Sequence, residues 1–292
     1  MGRLKNRLVI QIGFFIAQNP FLGNFFTGGI YQGSLKRFCT PGLNCYSCPA
    51  AAFSCPIGAT QLFIAGLRHN ISLYVTGFLL SVGVVFGKLI CGYVCPMGLL
   101  QDLLYKIKTR KFLMKLRYLR YIKYVVLAVF VIILPYFIRH GLTLLGRPWF
   151  CAYICPSGTI FAAIPLIAAN EFLWGFLGLQ FVLKVSIALA VIIASVFVLR
   201  IFCRVLCPLG AIYGLLNKIS IVGIKTQKDK CIGCHKCKSA CHIKIDPISE
   251  PNSPECFRCG SCAKACTKNV FSFGISPNHK KASKPFGVYT SE

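Results

Sequence analysis

The residues with the most evident chemistry are eighteen cysteines, eight of them in two tandem runs. Cys231-x2-Cys234-x2-Cys237-x3-Cys241 is followed by Cys256-x2-Cys259-x2-Cys262-x3-Cys266. Three closely spaced thiolates wrap one corner of a cubane, and the fourth enters the next short helix and faces its neighbour. This is the bacterial spacing in which each run's fourth cysteine serves the other of two [4Fe–4S] clusters. Cys231, Cys234, Cys237 and Cys266 are therefore assigned to one cluster, and Cys256, Cys259, Cys262 and Cys241 to the other. Zinc competes, because C-x2-C knuckles bind it too, but two complete runs in tandem favour iron–sulfur. The proline expected after each fourth cysteine is His242 and Thr267 here, which makes His242 a candidate modulator of one potential.

The other ten cysteines fall on a repeated element. Cys-Pro-x-Gly occurs at Cys55, Cys95, Cys155 and Cys207, and a second cysteine precedes three of these by four residues, at Cys91, Cys151 and Cys203. Proline suits the first position of a helix, where its missing N–H costs nothing. Each element is thus expected to start a helix with cysteine at the cap, where the helix N-terminus should lower the thiol pKa and favour the metal-ligating thiolate. Glycine should let the backbone approach a bulky cluster.

The elements that must hold these thiols are membrane-like. Of 292 residues, 55% are apolar and 14% charged, against roughly 25% charged in a soluble domain. Apolar runs at 8–26, 72–90, 124–138 and 172–199 could enter a ~30 Å hydrocarbon core, which takes about 20 helical residues. Gln11, Gln18, Asn19 and Pro20 interrupt the first, which is read as a retained anchor and not a cleaved signal. The net charge of +26 accompanies these runs, which points to basic loops and away from nucleic acid. With the N-terminus, the 98–123 loop and everything after Arg200 on one side, that side collects 26 basic residues, against Lys36, Arg37, Arg68, Arg139 and Arg147 on the other. The positive-inside rule then makes both termini cytoplasmic and turns 27–70 and 139–171 outward. Cys91, Cys95, Cys203 and Cys207 come together at the inner face as one complete four-thiolate site. Outside lie six, Cys39, Cys45, Cys48, Cys55, Cys151 and Cys155, two more than one cluster needs. Either Cys39–Cys55 is self-sufficient and Cys151/Cys155 is a dithiol or disulfide, or Cys55 and Cys155 are equivalent caps sharing a cluster.

Arg37-Phe-Cys-Thr-Pro-Gly-Leu-Asn-Cys-Tyr-Ser-Cys-Pro, Cys91-Gly-Tyr-Val-Cys-Pro-Met-Gly, Cys203-Arg-Val-Leu-Cys-Pro-Leu-Gly and the terminal runs resemble a known family. It is that of the polytopic membrane 4Fe-4S binding domain proteins. These include the NapH-type quinol-dehydrogenase subunit and the membrane part of the nitrous-oxide-reductase maturation and regulatory protein. The resemblance covers nearly the whole chain. It implies electron transfer between a quinone pool or cytoplasmic donor and an outward-facing acceptor, with partner redox subunits or a soluble carrier. The additional outer cysteines argue against assuming a nitrate-reductase role.

Other ionisable residues carry less. His69 and His140 are read as interfacial caps before proton acceptors or haem ligands. Lys88 and Asp102 lie near a cytoplasmic end and are expected to snorkel, whereas Lys184, deeper in an overlong run, is read first as the sign of a misplaced span boundary and only second as an offset to cluster charge. The basic 106–123 run reads as an anchor on anionic lipid. Seven acidic residues make carboxylate acid–base chemistry a poor fit. The expected fold is an all-α polytopic membrane protein of about four transmembrane helices with a C-terminal α+β two-cluster ferredoxin domain. The membrane domain spans 1–222 and the cytoplasmic ferredoxin-like domain 223–292. Two [4Fe–4S] clusters in the tail and one or two more in the membrane domain would relay electrons across a prokaryotic plasma membrane, with quinone a candidate partner. A transmembrane thiol–disulfide conduit and a redox-sensing or maturation protein keep the same fold.

Overall fold

Residues 7–66, 73–112, 118–138 and 147–275 are described by the structure, a computed structural model. Arg3, Lys5, Arg68, His69, Arg139, His140 and the residues after 275 lie outside them. The chain is mostly helical, with one two-stranded sheet near its C-terminal end.

The first apolar run yields a helix, α1 (Arg7–Gln18), of 12 residues. It rises about 18 Å, short of a bilayer crossing, and stops ahead of Pro20. The polar residues that interrupt the run dock it: Gln11 and Gln18 are its buried positions. Their amides donate to the backbone oxygens of Gly92 (3.0 Å) and Val94 (2.9 Å). Helix α2 (Pro56–Ala65) follows, then α3 (Tyr74–Phe86), of 13 residues. Next come the short α4 (Leu89–Tyr93) and the Pro-led α5 (Pro96–Tyr105).

Two helices are long and apolar enough to cross a membrane, α6 (Leu119–Phe137) and, after α7 (Pro156–Ala169), α8 (Leu179–Phe197). The expectation of about four spans is thus met by two helices of sufficient length among the described residues. Both turn most of their surface outward, with Val125, Ile132, Leu179, Val182 and Leu189 exposed. Helices α6 and α7 each widen into a π turn, Leu127–Ile133 and Thr159–Ala163, just before Pro135 and Pro165. A proline inside a helix removes one N–H and crowds the preceding turn, and the wider turn absorbs that. Short α9 (Ile201–Val205) and Pro-led α10 (Pro208–Leu216) complete the helical body. Its core packs Ile57, Met97, Phe150, Phe202, Leu209 and Tyr213 around six of the cysteines.

Strands β1 (Val222–Thr226) and β2 (Phe271–Ile275) pair antiparallel, Val222 opposite Ile275. They close a small unit carrying helices α11 (Lys236–Ser239) and α12 (Ser261–Ala265). Buried charge fastens this unit to the helical body. The fully buried Arg258 reaches back to the oxygens of Phe86 (2.8 Å), Asn217 (3.1 Å) and Val222. Glu255 pairs with Lys88 and Lys123, both essentially inaccessible. Burial alone would raise its pKa, yet the two ammonium groups hold it below the usual carboxylate range. Lys88 therefore does not snorkel, and Lys123 does not sit on lipid as its basic run suggested. Asp102 is likewise turned inward, bonded to Arg7, Gln11 and Arg200. A carboxylate was within reach in each case, and pairing is cheaper than leaving a buried charge unmatched.

Replacing Glu255 by Leu leaves two buried ammonium groups without a counter-charge. The expected cost is about 3–5 kcal/mol, seen as a lower thermal midpoint and faster proteolysis near β1. The exposed Glu250 replaced by Gln should change neither.

Candidate metal centres

Each Cys-Pro-x-Gly element does begin a helix, with Cys55, Cys95, Cys155 and Cys207 at the position before the first turn. In the hairpin of α4 and α5, Cys91 precedes Cys95; in that of α9 and α10, Cys203 precedes Cys207. All four thiols lie within mutual electrostatic range, and all are buried. The two glycines of this set also serve their own hairpins. A Cβ on Gly98 would stand 2.7 Å from the Cys91 oxygen, and one on Gly210 2.6 Å from the Cys203 oxygen. Glycine thus lets each hairpin fold its own carbonyl onto the following helix. Lys88 and Arg200 supply positive charge beside Cys91 and Cys203. Asp102 aims the Arg200 guanidinium, with Nε donating to Oδ1 at 2.8 Å.

The same build recurs with a second set. Cys45, Cys55, Cys151 and Cys155 are all within electrostatic range of one another. Lys184 lies within electrostatic range of three of them, Cys45, Cys151 and Cys155, which fits the second of the two readings of its depth. Of the two arrangements left open by the sequence, the structure juxtaposes Cys55 with Cys155. Cys48 is within range of Cys45 alone among the four and has its sulfur 4.0 Å from Asn19 Oδ1, and Cys39, whose backbone bridges to Ser54, is within range of Tyr213 and of none of them. The loop between Cys39 and Cys45, expected to face outward, instead runs in to the first set. Leu43 N–H donates to Cys95 Sγ at 3.4 Å, and Pro41 O accepts from Tyr213 at 2.9 Å. Gly42 has room only for hydrogen, since a Cβ there would meet Cys95 Cα at 3.0 Å.

Both remaining quartets line cavities in the C-terminal unit. One is walled by Cys231, Cys234, Cys237 and Cys266; the other by Cys241, Cys256, Cys259 and Cys262. These are the groupings that the crossed fourth cysteine requires. The two loops are built alike, with left-handed residues at Gly233 and His235 in the first and at Arg258 and Gly260 in the second. Phe257 lies on α4, its oxygen where a Gly92 Cβ would be, so the second cavity abuts the Cys91/Cys95 hairpin. His242 stands edge-on to Tyr105 at 6.2 Å.

All eighteen cysteines lie in the described residues and none forms a disulfide. The expectation that helix starts favour the thiolate is reversed by burial. It pushes Cys55 and Cys207 well above the ordinary thiol range and Cys91 up to about 12, against only partial relief from the N–H groups of Gly58 and Gly210. In the C-terminal unit, burial lifts Cys256 to about 11 and Cys262 to about 12. Such thiols become ligands only when a metal displaces their protons. Among the described residues no three His, Cys, Asp or Glu side chains close on a single-ion position. The two all-thiol quartets that line the C-terminal cavities fit multi-iron cubanes.

Two residues escaped the sequence reading. Gln61 and Gln101 each stand six places after a Cys-Pro cysteine, and each reaches across to the partner hairpin. The signal was their common spacing, with Phe161 and Tyr213 at that place in the other two elements.

The 4Fe-4S binding domain family matches the chain three times, at 71–115, 124–167 and 182–226. These segments hold Cys91/Cys95, Cys151/Cys155 and Cys203/Cys207. An uncharacterized protein of Methanocaldococcus jannaschii is 27% identical over 228 residues, 76% of this chain and 87% of its own. The ferredoxin-type protein NapH of Haemophilus influenzae is 27% identical over 279 residues, 89% of this chain and 84% of its own. The regulatory protein NosR of Pseudomonas aeruginosa is 27% identical over 174 residues, 59% of this chain and 22% of its own. No solved structure matches.

Gly210→Ala forces backbone against backbone and should cost about 1–3 kcal/mol. Gly77→Ala, in open space on α3, should stabilise by up to about 1 kcal/mol. Thermal unfolding of the two variants in detergent checks the contrast.

Proposed function

We propose that the chain, which the 4Fe-4S binding domain family matches at three segments, is a NapH-type polyferredoxin that relays single electrons across a prokaryotic plasma membrane through four cysteine quartets. When bound, a [4Fe–4S] cluster supplies reversible one-electron storage. Cys231, Cys234, Cys237 and Cys266 hold the first, and Cys256, Cys259, Cys262 and Cys241 the second. Cys91, Cys95, Cys203 and Cys207 hold a third, and Cys45, Cys55, Cys151 and Cys155 a fourth. The observation that carries this reading is the second pair of quartets: two all-thiol sets, one buried and one largely so, each built on two Cys-Pro helix starts.

The chain's own residues order the relay. Arg258 and the Lys88–Glu255–Lys123 cluster clamp the C-terminal unit to the helical body. Phe257 brings the Cys256 quartet against α4, and the Pro41–Leu43 loop bridges Cys95 toward Cys45. Each transfer moves one electron with no bond made or broken, oxidising the donor and reducing the acceptor by one. Cations at Lys88, Arg200 and Lys184 offset the negative charge of four thiolates in a low-dielectric body.

In this reading α6 and α8 cross the bilayer, the shorter α1 and α3 enter it as parts of two further spans, and both termini are cytoplasmic. The basic C-terminal surface favours an acidic soluble carrier or partner redox subunit through electrostatic steering. An open groove beside Cys241 and Cys262, lined by Tyr105, Lys111, His242, Ser261 and Lys264, is where that carrier docks. Quinone remains a candidate exchange partner at the membrane.

Anaerobically purified protein should carry about sixteen irons with matching acid-labile sulfide. Cys95→Ser and Cys151→Ser should each lower this to about twelve, while Cys39→Ser and Cys48→Ser leave it at sixteen. About eight irons would confine the clusters to the C-terminal unit. Colourless, sulfide-free protein with alkylatable thiols would transfer the chemistry to a dithiol conduit.

A further inference from the structure

Resting on the reading that both membrane-domain quartets hold clusters, we propose that Gln61 and Gln101 are paired positioning residues. Each fixes one ligand cysteine of its site and raises that site's reduction potential through an N–H···S hydrogen bond.

The two side chains make equivalent contacts. Gln101 Nε2 donates to Cys203 Sγ at 3.2 Å and to Met97 O at 3.2 Å, while its Oε1 accepts from Phe202 N–H at 3.1 Å. Gln61 Nε2 donates to Cys151 Sγ at 3.2 Å and to Ile57 O at 3.3 Å, while its Oε1 accepts from Phe150 N–H at 2.9 Å. Both are fully buried, with 0% exposure. The orientation of each amide is fixed by chemistry. Only its oxygen can accept from a backbone N–H and only its nitrogen can donate to a carbonyl, so the NH2 end must face sulfur. In each site the glutamine belongs to one hairpin, and the residues that it holds are the first cysteine of the other hairpin and the residue before it. It therefore locks two sequence-distant arms into one register.

The electrostatic consequence follows from where the charge goes. A reduced site carries one more negative charge than the oxidised one, shared with its ligand sulfurs. A donor aimed at sulfur stabilises that state more, and buried N–H···S bonds are among the levers that set cluster potentials. Phe161 and Tyr213, at the matching places on the opposite arms, lack an amide, so each site receives one such side-chain donor, in addition to backbone N–H groups such as those of Leu43 and Gly210 in the first. Each glutamine acts on its own site alone, because its bonds stay within one quartet.

The test uses the full chain in detergent, with EPR-monitored redox titration and iron counting on Gln61→Met and Gln101→Met. Methionine keeps the length and donates nothing. Each variant should retain about sixteen irons and lower the potential of one membrane-domain signal by about tenfold in its equilibrium, roughly 59 mV for one electron. The other three signals should stay put. Pulsed EPR of reduced wild-type protein carrying side-chain 15N-glutamine provides a second readout, independent of whether a variant assembles. A nitrogen coupling on each membrane-domain signal is expected, one lost in each variant that assembles. Unmoved potentials with iron retained, or no coupling in the wild type, would overturn the proposal while leaving the clusters in place. Wild-type protein with only about eight irons would instead remove the reading on which it rests.

Discussion

Charge withdrawn from water must be matched where it lies, and that requirement organises the whole molecule. A buried thiol resists ionisation because desolvation outweighs the pull of a helix start, as Cys55 and Cys207 show. The same rule governs the ordinary ions. Asp102 gathers Arg7, Gln11 and Arg200, and Glu255 gathers Lys88 and Lys123. Few acidic residues are available, and these two stand where buried cations converge. Removing one partner of such a group costs far more than the group contributes when intact.

Repetition is the second organising fact. Three segments match one family and carry the Cys-x3-Cys-Pro hairpin. A fourth arm, ending at Cys55-Pro, has diverged. Ala51 stands where the paired cysteine would be, and Cys45 joins the site from the preceding loop. Each quartet combines one arm bearing glutamine with one bearing an aromatic residue. Equivalent halves thus meet through unlike side chains, which defines which arm pairs with which.

In the helical body, the loop that leads to Cys45 meets the Cys95 quartet through its backbone. The Pro41–Leu43 segment is wedged between Cys95 and Tyr213, with Leu43 almost wholly buried. A loop of such composition would ordinarily lie on a surface, because its polar backbone needs partners. Here a sulfur and a tyrosine hydroxyl provide them. On the opposite flank Phe257 and Arg258, both inside a C-x2-C loop, serve as the docking surface of the C-terminal unit. The residues between ligands therefore carry the assembly.

The sequence by itself determined the cysteine chemistry. Ligand spacing is local, so the crossed pairing of Cys241 and Cys266 and the four Pro-led helix starts were legible from neighbours alone. So was the grouping of Cys91, Cys95, Cys203 and Cys207, through hairpin logic. Pro20 marked the end of α1 in advance, whereas the length of α3 was overestimated because hydropathy does not register the Gly87 turn that ends it. Only tertiary structure decided that Cys45 and Cys55 join Cys151 and Cys155, that Lys88 and Asp102 turn inward, and that two glutamines span the arms. Each of these depends on partners roughly ninety or more residues away in sequence, and no local pattern records which buried charge or donor a distant segment will supply.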